Sequence, residues 1–66
     1  MDFKISMAAA RVNAGKSQQD VADEMGLART TIVLWEKGKV IPKAAQFEMF
    51  CRVCNIPKDY VFLPNH

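Results

Sequence analysis

A chain of 66 residues holds one domain at most and sits near the lower limit at which a single core sustains a fold, so most of it must pack. Half of the residues are apolar and only 24% are charged, which argues against disorder. No apolar run is long enough to span a bilayer and no charged-then-apolar start resembles a signal peptide, so the expectation is a soluble cytosolic protein. The net charge of +2 does not by itself announce a nucleic-acid binder, but its distribution is informative. Arg29, Lys37, Lys39 and Lys43 against Glu36 leave +3 between residues 29 and 43, while Asp20, Asp23 and Glu24 put −3 just before. A basic stretch beside an acidic one points to a face for a polyanionic partner.

Turn-forming residues at Gly15, Gly26, Gly38, Pro42, Asn55 and Pro57 divide the chain into five stretches without repeats or a linker. The first, about 4 to 14, places Ile5, Ala8, Ala9 and Val12 at helical spacing. The second, about 18 to 25, follows Ser17 as N-cap, and Asp20 completes an S-x-x-D capping box. Val21, Ala22 and Met25 line its inner side, and Gly26 can take the left-handed conformation that ends it.

The third stretch is ambiguous. Thr30-Thr31-Ile32-Val33-Leu34-Trp35 is β-branched or aromatic almost throughout and reads locally as a strand. A lone strand between helices would have no partner for its edges, so residues 28 to 37 are predicted as a helix. Ile32 and Trp35 then share one side with Glu36 on its flank, while Thr30, Val33, Leu34 and Lys37 point the other way.

The fourth stretch, about 44 to 54, buries Ala44, Phe47, Phe50, Cys51 and Cys54, with Asn55 as a left-handed stop. The last is short and opened by Pro57, with Val61 and Phe62 facing inward. Phe3, like Phe62, is assigned to the core rather than to an interface. Cys51 and Cys54 have the C-x-x-C spacing of a redox pair or half a metal site. They lie deep in an apolar-periodic stretch, not at a helix N-terminus, and the only histidine is the terminal His66. Two small buried apolar side chains are the better reading. Neither a His–acid pair, a nucleophile elbow nor a phosphate loop is present, so no enzyme, metal or cofactor is expected.

Residues 18 to 37 carry a specific spacing. Ala22 lies four before Gly26 and Ile32 six after it, with Val21, Met25, Leu27 and Trp35 filling the other inner positions. A small residue lets two helices crossing at about 90–120° approach closely. Gly26 makes the turn, and Ile32 wedges the second helix against the first. This is a helix-turn-helix pattern.

"SQQDVADEMGLARTTIVLWEKGKVIP" resembles the Cro and phage-repressor (XRE-type) helix-turn-helix domains, and the similarity runs from about residue 5 to 62. The resemblance implies a single all-α domain over residues 1–66, a compact five-helix lambda-repressor-like fold with its motif at 18–37. It further implies a small Cro-like repressor that binds double-stranded operator DNA as a homodimer, in a phage or mobile-element setting and a bacterial cytosol. An arginine in the first helix of such domains commonly pairs with the glutamate before x-Gly-Lys, which are Arg11 and Glu36 here. The helical wheel independently puts Glu36 on an inward flank, where a lone charge would be costly.

Roles follow from that docking geometry, with the start of the third helix at base edges in the major groove. Arg29 is the expected direct reader, bidentate to a guanine, rather than a merely solvated arginine. Thr30 can bond either kind of base edge. Val33 and Leu34 either pack on thymine methyls or close the core or a partner contact. Gln18 resembles the family's phosphate-clamping glutamine, and Thr31 is a phosphate candidate that could equally cap or fill space. Lys37, Lys39 and Lys43 either contact phosphates, setting salt dependence, or solvate a loop. The dimer contact is expected in the C-terminal third, around Ile56 and residues 60 to 65. Three departures stand out. Ala28 replaces a Ser or Thr cap, Lys16 an apolar residue, and Pro57 a polar cap. The rival from another class is a protein-interaction module of the same fold, whose third-helix face binds a protein.

Overall fold

The computed structural model describes residues 3–63. Four α-helices follow one another: α1 (Met7–Asn13), α2 (Gln18–Met25), α3 (Arg29–Glu36) and α4 (Ala44–Val53). A single 3-10 turn, Lys58–Tyr60, comes last, and no strand is present among the described residues. The β-prone run at 30–35 is helical because α1 and α2 pack against it and a helix pairs most of its backbone groups within itself, whereas a lone strand would pair none. Tertiary surroundings override local propensity here.

All four helices stop in the same way, by local backbone chemistry. After α2, Gly26 takes φ 70°, its N–H donates to the Asp23 carbonyl at 3.2 Å, and the Leu27 N–H reaches back to Ala22 at 2.9 Å. That pair of bonds satisfies carbonyls the helix end would leave open. An added Cβ at Gly26 would meet nothing within 4 Å, so the glycine is required by its backbone angle and not by crowding. The same two bonds recur around Gly15, Gly38 and Asn55, the last with φ 57°.

The starts differ. Ser17 caps α2 in a complete box: its hydroxyl accepts from Asp20 N–H at 2.9 Å and the Asp20 carboxylate accepts from Ser17 N–H at 2.9 Å. Those bonds hold the exposed Asp20 carboxyl below its usual pKa. Ser6 caps α1 through Ala9 N–H at 3.0 Å, and Gln46 Oε1 accepts the Lys43 N–H ahead of α4. Ala28, before α3, offers no side-chain cap.

The core draws Met7 and Ala10 from α1, Val21 and Ala22 from α2, Ile32 and Trp35 from α3, and Phe50, Cys51 and Cys54 from around α4, closed by Val61. A large apolar side chain so buried contributes about 1.5–3 kcal/mol. Burial pushes the Cys54 thiol up to about 11 and raises Cys51 as well, so both stay protonated thiols without nucleophilic character. Both cysteines are free. Among the described residues no group of three or more His, Cys, Asp or Glu could hold a metal ion. No helix among them is long and apolar enough to cross a membrane.

Packing corrects the sequence at both ends of the chain. α1 starts at Met7 and buries Met7 and Ala10, whereas Ala9 is exposed and Val12 is 65% exposed. Ile5 has left the helix: it forms an isolated parallel bridge with Val61, its N–H donating to Tyr60 at 2.8 Å and its carbonyl accepting from Phe62 at 3.0 Å. The expected fifth helix is therefore one short turn. Val61 is extended because its neighbours' backbone groups bond across to Ile5 instead of continuing a helix. Side chains alternate along such a segment, so Val61 is buried and Phe62 is turned out, 46% exposed. Phe3, at 74% exposure, is not core either. On α4 the inner face begins later than periodicity suggests, with Ala44 exposed and Phe47 half-buried.

Candidate nucleic-acid interface

The α2–α3 pair is built around a small contact. Ala22 on α2 and Ile32 on α3 are both fully buried, with Val21 and Trp35 beside them. Leu27 fills the turn between the helices, partly buried against the core. Fixing α3 by Ile32 and Trp35 leaves its first turn free, and Ala28, Arg29 and Thr30 are all exposed. Helix N–H groups at such an end carry partial positive charge and unsatisfied donors.

The far end of α3 is tied down. Arg11 Nε donates to Glu36 Oε2 at 2.7 Å and Arg11 Nη2 to Glu36 Oε1 at 3.2 Å, a two-pronged pair joining α1 to α3. Their side chains are only 15% and 7% exposed. A third donor, Arg11 Nη1, reaches the Lys16 carbonyl at 2.8 Å, so the guanidinium also fixes the loop before α2. Bonding to Glu36 raises the guanidinium's already high pKa. No buried side-chain nitrogen or oxygen among the described residues lacks a hydrogen-bond partner.

Gln18 opens α2 and bridges this pair to the start of α3. Its Nε2 donates to Glu36 Oε1 at 3.0 Å, and its Oε1 accepts from Arg29 Nη2 at 3.3 Å. The sequence reading treats Gln18 only as a residue facing phosphate, whereas here the half-buried side chain is engaged within the protein. The one signal that could have shown this is positional: residues 18 and 29 each open a helix of the same motif.

The remaining candidates fall into two groups. Lys37, Lys39 and Lys43 are exposed, whereas Thr31, Val33 and Leu34 are half-buried. The ion pairs of the described residues are Arg11–Glu36, Lys16–Glu24 and Lys58–Glu48, and none uses Arg29 or those three lysines. Four exposed cations thus lie on α3 and the loop behind it. The N–H groups of Lys39 and Val40 both donate to the Leu34 carbonyl, at 3.0 and 3.3 Å, holding that loop against the end of α3. Val40 and Ile41, at 43% and 42% exposure between Lys39 and Lys43, are apolar surface that periodicity did not single out.

Comparison with curated proteins and with solved structures gives no match. A family model described as helix-turn-helix matches residues 7–61, from the first residue of α1 to Val61. That span covers most of the chain, and it includes the Ala22–Gly26–Ile32 core of the motif and the whole of the Arg11–Glu36–Gln18 network. The chain belongs to the XRE-type helix-turn-helix family of DNA-binding regulators.

Proposed function

We propose that this protein is a sequence-specific transcriptional repressor of the Cro type, binding operator DNA as a homodimer with α3 in the major groove. The observation that carries the reading is the open first turn of α3. Arg29 and Thr30 are exposed there, on a helix held rigidly from its other end by Ile32, Trp35 and Glu36. Arg29 reads a base edge, bidentate to guanine, and Thr30 bonds a neighbouring base. Val33 and Leu34, half-buried, meet thymine methyls with the surface they retain.

Phosphate contacts come from Lys37, Lys39 and Lys43, from Thr31, and from Gln18 through the backbone N–H groups at the start of α2. Arg11 and Glu36 take no part in the contact; they hold α1, α2 and α3 in register for it. The dimer face is assigned to the C-terminal segment. Ile56 is half-buried there, while Tyr60, Phe62 and Leu63 are 55%, 46% and 40% exposed. Residues 64 and 65 of that expected face lie outside the described residues. Two copies related by a two-fold axis place their recognition helices about one DNA turn apart.

In vitro selection from randomised duplex DNA, run with wild type and Arg29→Ala, tests this reading. Wild type enriches a two-fold symmetric site, and Arg29→Ala relaxes one base pair in each half-site by about 1–3 kcal/mol. Affinity falls steeply as salt rises, because the lysines release counterions from the phosphates. The exposed Val40 and Ile41 favour a second reading, a protein partner on the same face. No enrichment at low salt, together with a protein contact insensitive to salt, would replace the first reading with the second.

A further inference from the structure

We infer that the N-terminal segment supplies part of the self-association face, with Phe3 as its principal apolar contact to a second copy of this chain. The inference rests on the homodimer reading above and extends its face from the C-terminal segment to both ends of the fold.

The chain has one Trp, one Tyr and four Phe. Trp35 and Phe50 are buried and Phe47 is half-buried, whereas Phe3, Tyr60 and Phe62 are exposed. The exposed aromatics are not scattered. Ile5 N–H donates to the Tyr60 carbonyl at 2.8 Å and the Ile5 carbonyl accepts from Phe62 N–H at 3.0 Å, so the backbone two residues after Phe3 is bonded to both of the others. Val61, 2% exposed and bridged to Ile5, fixes that junction to the core. Single exposed apolar residues are ordinary, but adjoining large ones mark a contact surface. Because the fold already holds these backbones, docking has little to order beyond the rings themselves.

Area shows why the C-terminal residues alone fall short. Taking about 200 Å² for a whole large apolar residue, the exposed fractions of Tyr60, Phe62 and Leu63 amount to roughly 280 Å² per copy. A stable interface needs at least about 600 Å² per partner. Phe3, 74% exposed, adds roughly 150 Å², half as much again. Half-buried Ile56 and a polar rim at Lys4 and Asp59 extend the face further.

Charge favours a second copy over DNA as the occupant. The exposed cations Arg29, Lys37, Lys39 and Lys43 lie on α3 and the loop behind it. At the aromatic end Lys58 is paired with Glu48 at 2.8 Å, and Lys4 and Asp59, the sequence neighbours of Phe3 and Tyr60, cancel one another. A two-fold contact sets a face against its own copy, so a patch without excess charge closes without like-charge repulsion.

The test compares wild type with Phe3→Asp, Phe62→Asp and Val12→Asp, the last replacing an exposed apolar residue in the final turn of α1. Sedimentation of the free protein is read beside binding to duplexes carrying one or two selected half-sites. Phe3→Asp should raise the dimer dissociation constant about tenfold or more and weaken binding to the two-half-site duplex, with single half-site affinity unchanged. Val12→Asp should alter neither. Urea midpoints at concentrations where the protein is monomeric should match wild type, because the Phe3 ring is exposed there. Isotope-filtered NMR of mixed labelled and unlabelled protein should place the Phe3 ring against protons of the other copy.

Self-association lost in Phe62→Asp but kept in Phe3→Asp overturns this extension, leaves the dimer reading standing and opens Phe3 to a different protein. A loss in Phe3→Asp without an intermolecular signal from the wild-type ring makes the effect indirect and overturns it as well. A wild type that stays monomeric in solution and fills two half-sites without cooperativity overturns the dimer reading, and this face with it.

Discussion

The two ends of α3 are built on opposite plans. Its last turn carries Trp35, 1% exposed, and Glu36, held in a two-pronged ion pair, and it closes through Gly38 onto the Trp35 and Leu34 carbonyls. Its first turn carries exposed Arg29 and Thr30 after Ala28, with no side-chain cap. α2, the other helix of the motif, is sealed at its start by the reciprocal Ser17–Asp20 bonds. Within one motif, then, stability is concentrated at one end of the recognition helix and left out of the other. An end without a side-chain cap is available to a partner, and among the described residues the only side-chain hydrogen bond of Arg29 is the one it donates to Gln18 Oε1 at 3.3 Å.

Substitutions at the two ends should differ in size and in kind. Trp35→Ala has the largest expected effect, about 3–5 kcal/mol, because the cavity lies where α3 meets the core. Against the marginal stability of a small domain, that leaves a mostly unfolded chain by circular dichroism, and a cooperative melt near the wild-type midpoint would refute the anchored-end description. Arg11→Met comes next. It strands the Glu36 carboxylate, 7% exposed, and should lower stability by about 3 kcal/mol in urea unfolding. Adding Glu36→Leu to Arg11→Met should recover most of that loss, since two apolar residues leave no buried charge unpaired.

Ala28→Ser works at the open end and should stabilise the free protein by about 1 kcal/mol, raising the thermal midpoint. No gain would mean that the first turn is already satisfied and the contrast between the ends is smaller than described. The smallest effect belongs to pH. Asp20 has a lowered pKa in the folded state because it accepts from Ser17. Its contribution is therefore present above the unfolded value of about 3.9 and is lost as pH falls through the lower folded value. Urea midpoints of wild type and Asp20→Asn should differ at neutral pH and converge in acid; a gap that persists below both values would show that the cap does not depend on the charge.

The same contrast explains what could be read in advance. Ser17, Asp20 and Gly26 mark α2 within its own ten residues, because capping and left-handed closure involve only neighbours in the chain. The Ala22–Gly26–Ile32 spacing likewise predicts how α2 and α3 meet, since short helices joined by a tight turn have few ways to pack. The inward face of the seven-residue α1 was not legible in this way. Two turns sample too few positions for periodicity to choose between the faces carrying Met7 and Ala10 and those carrying Ala9 and Val12. At the candidate site, the pairing position of Glu36 follows from the helical wheel. The side-chain direction of Gln18 does not, because it depends on where the packing of α3 against α2 brings Glu36 and Arg29.

Sequence alone therefore determined the helix limits around the motif, the left-handed stops at Gly26 and Asn55, and the buried pair Ile32 and Trp35. Each depends on backbone angles and hydrogen bonds reaching only a few residues along the chain. Tertiary structure decided that Ile5 pairs with Val61 and that the last helix is reduced to one turn. Those outcomes rest on contacts between residues distant in sequence, where the loss of one local hydrogen bond is offset by another formed across the fold.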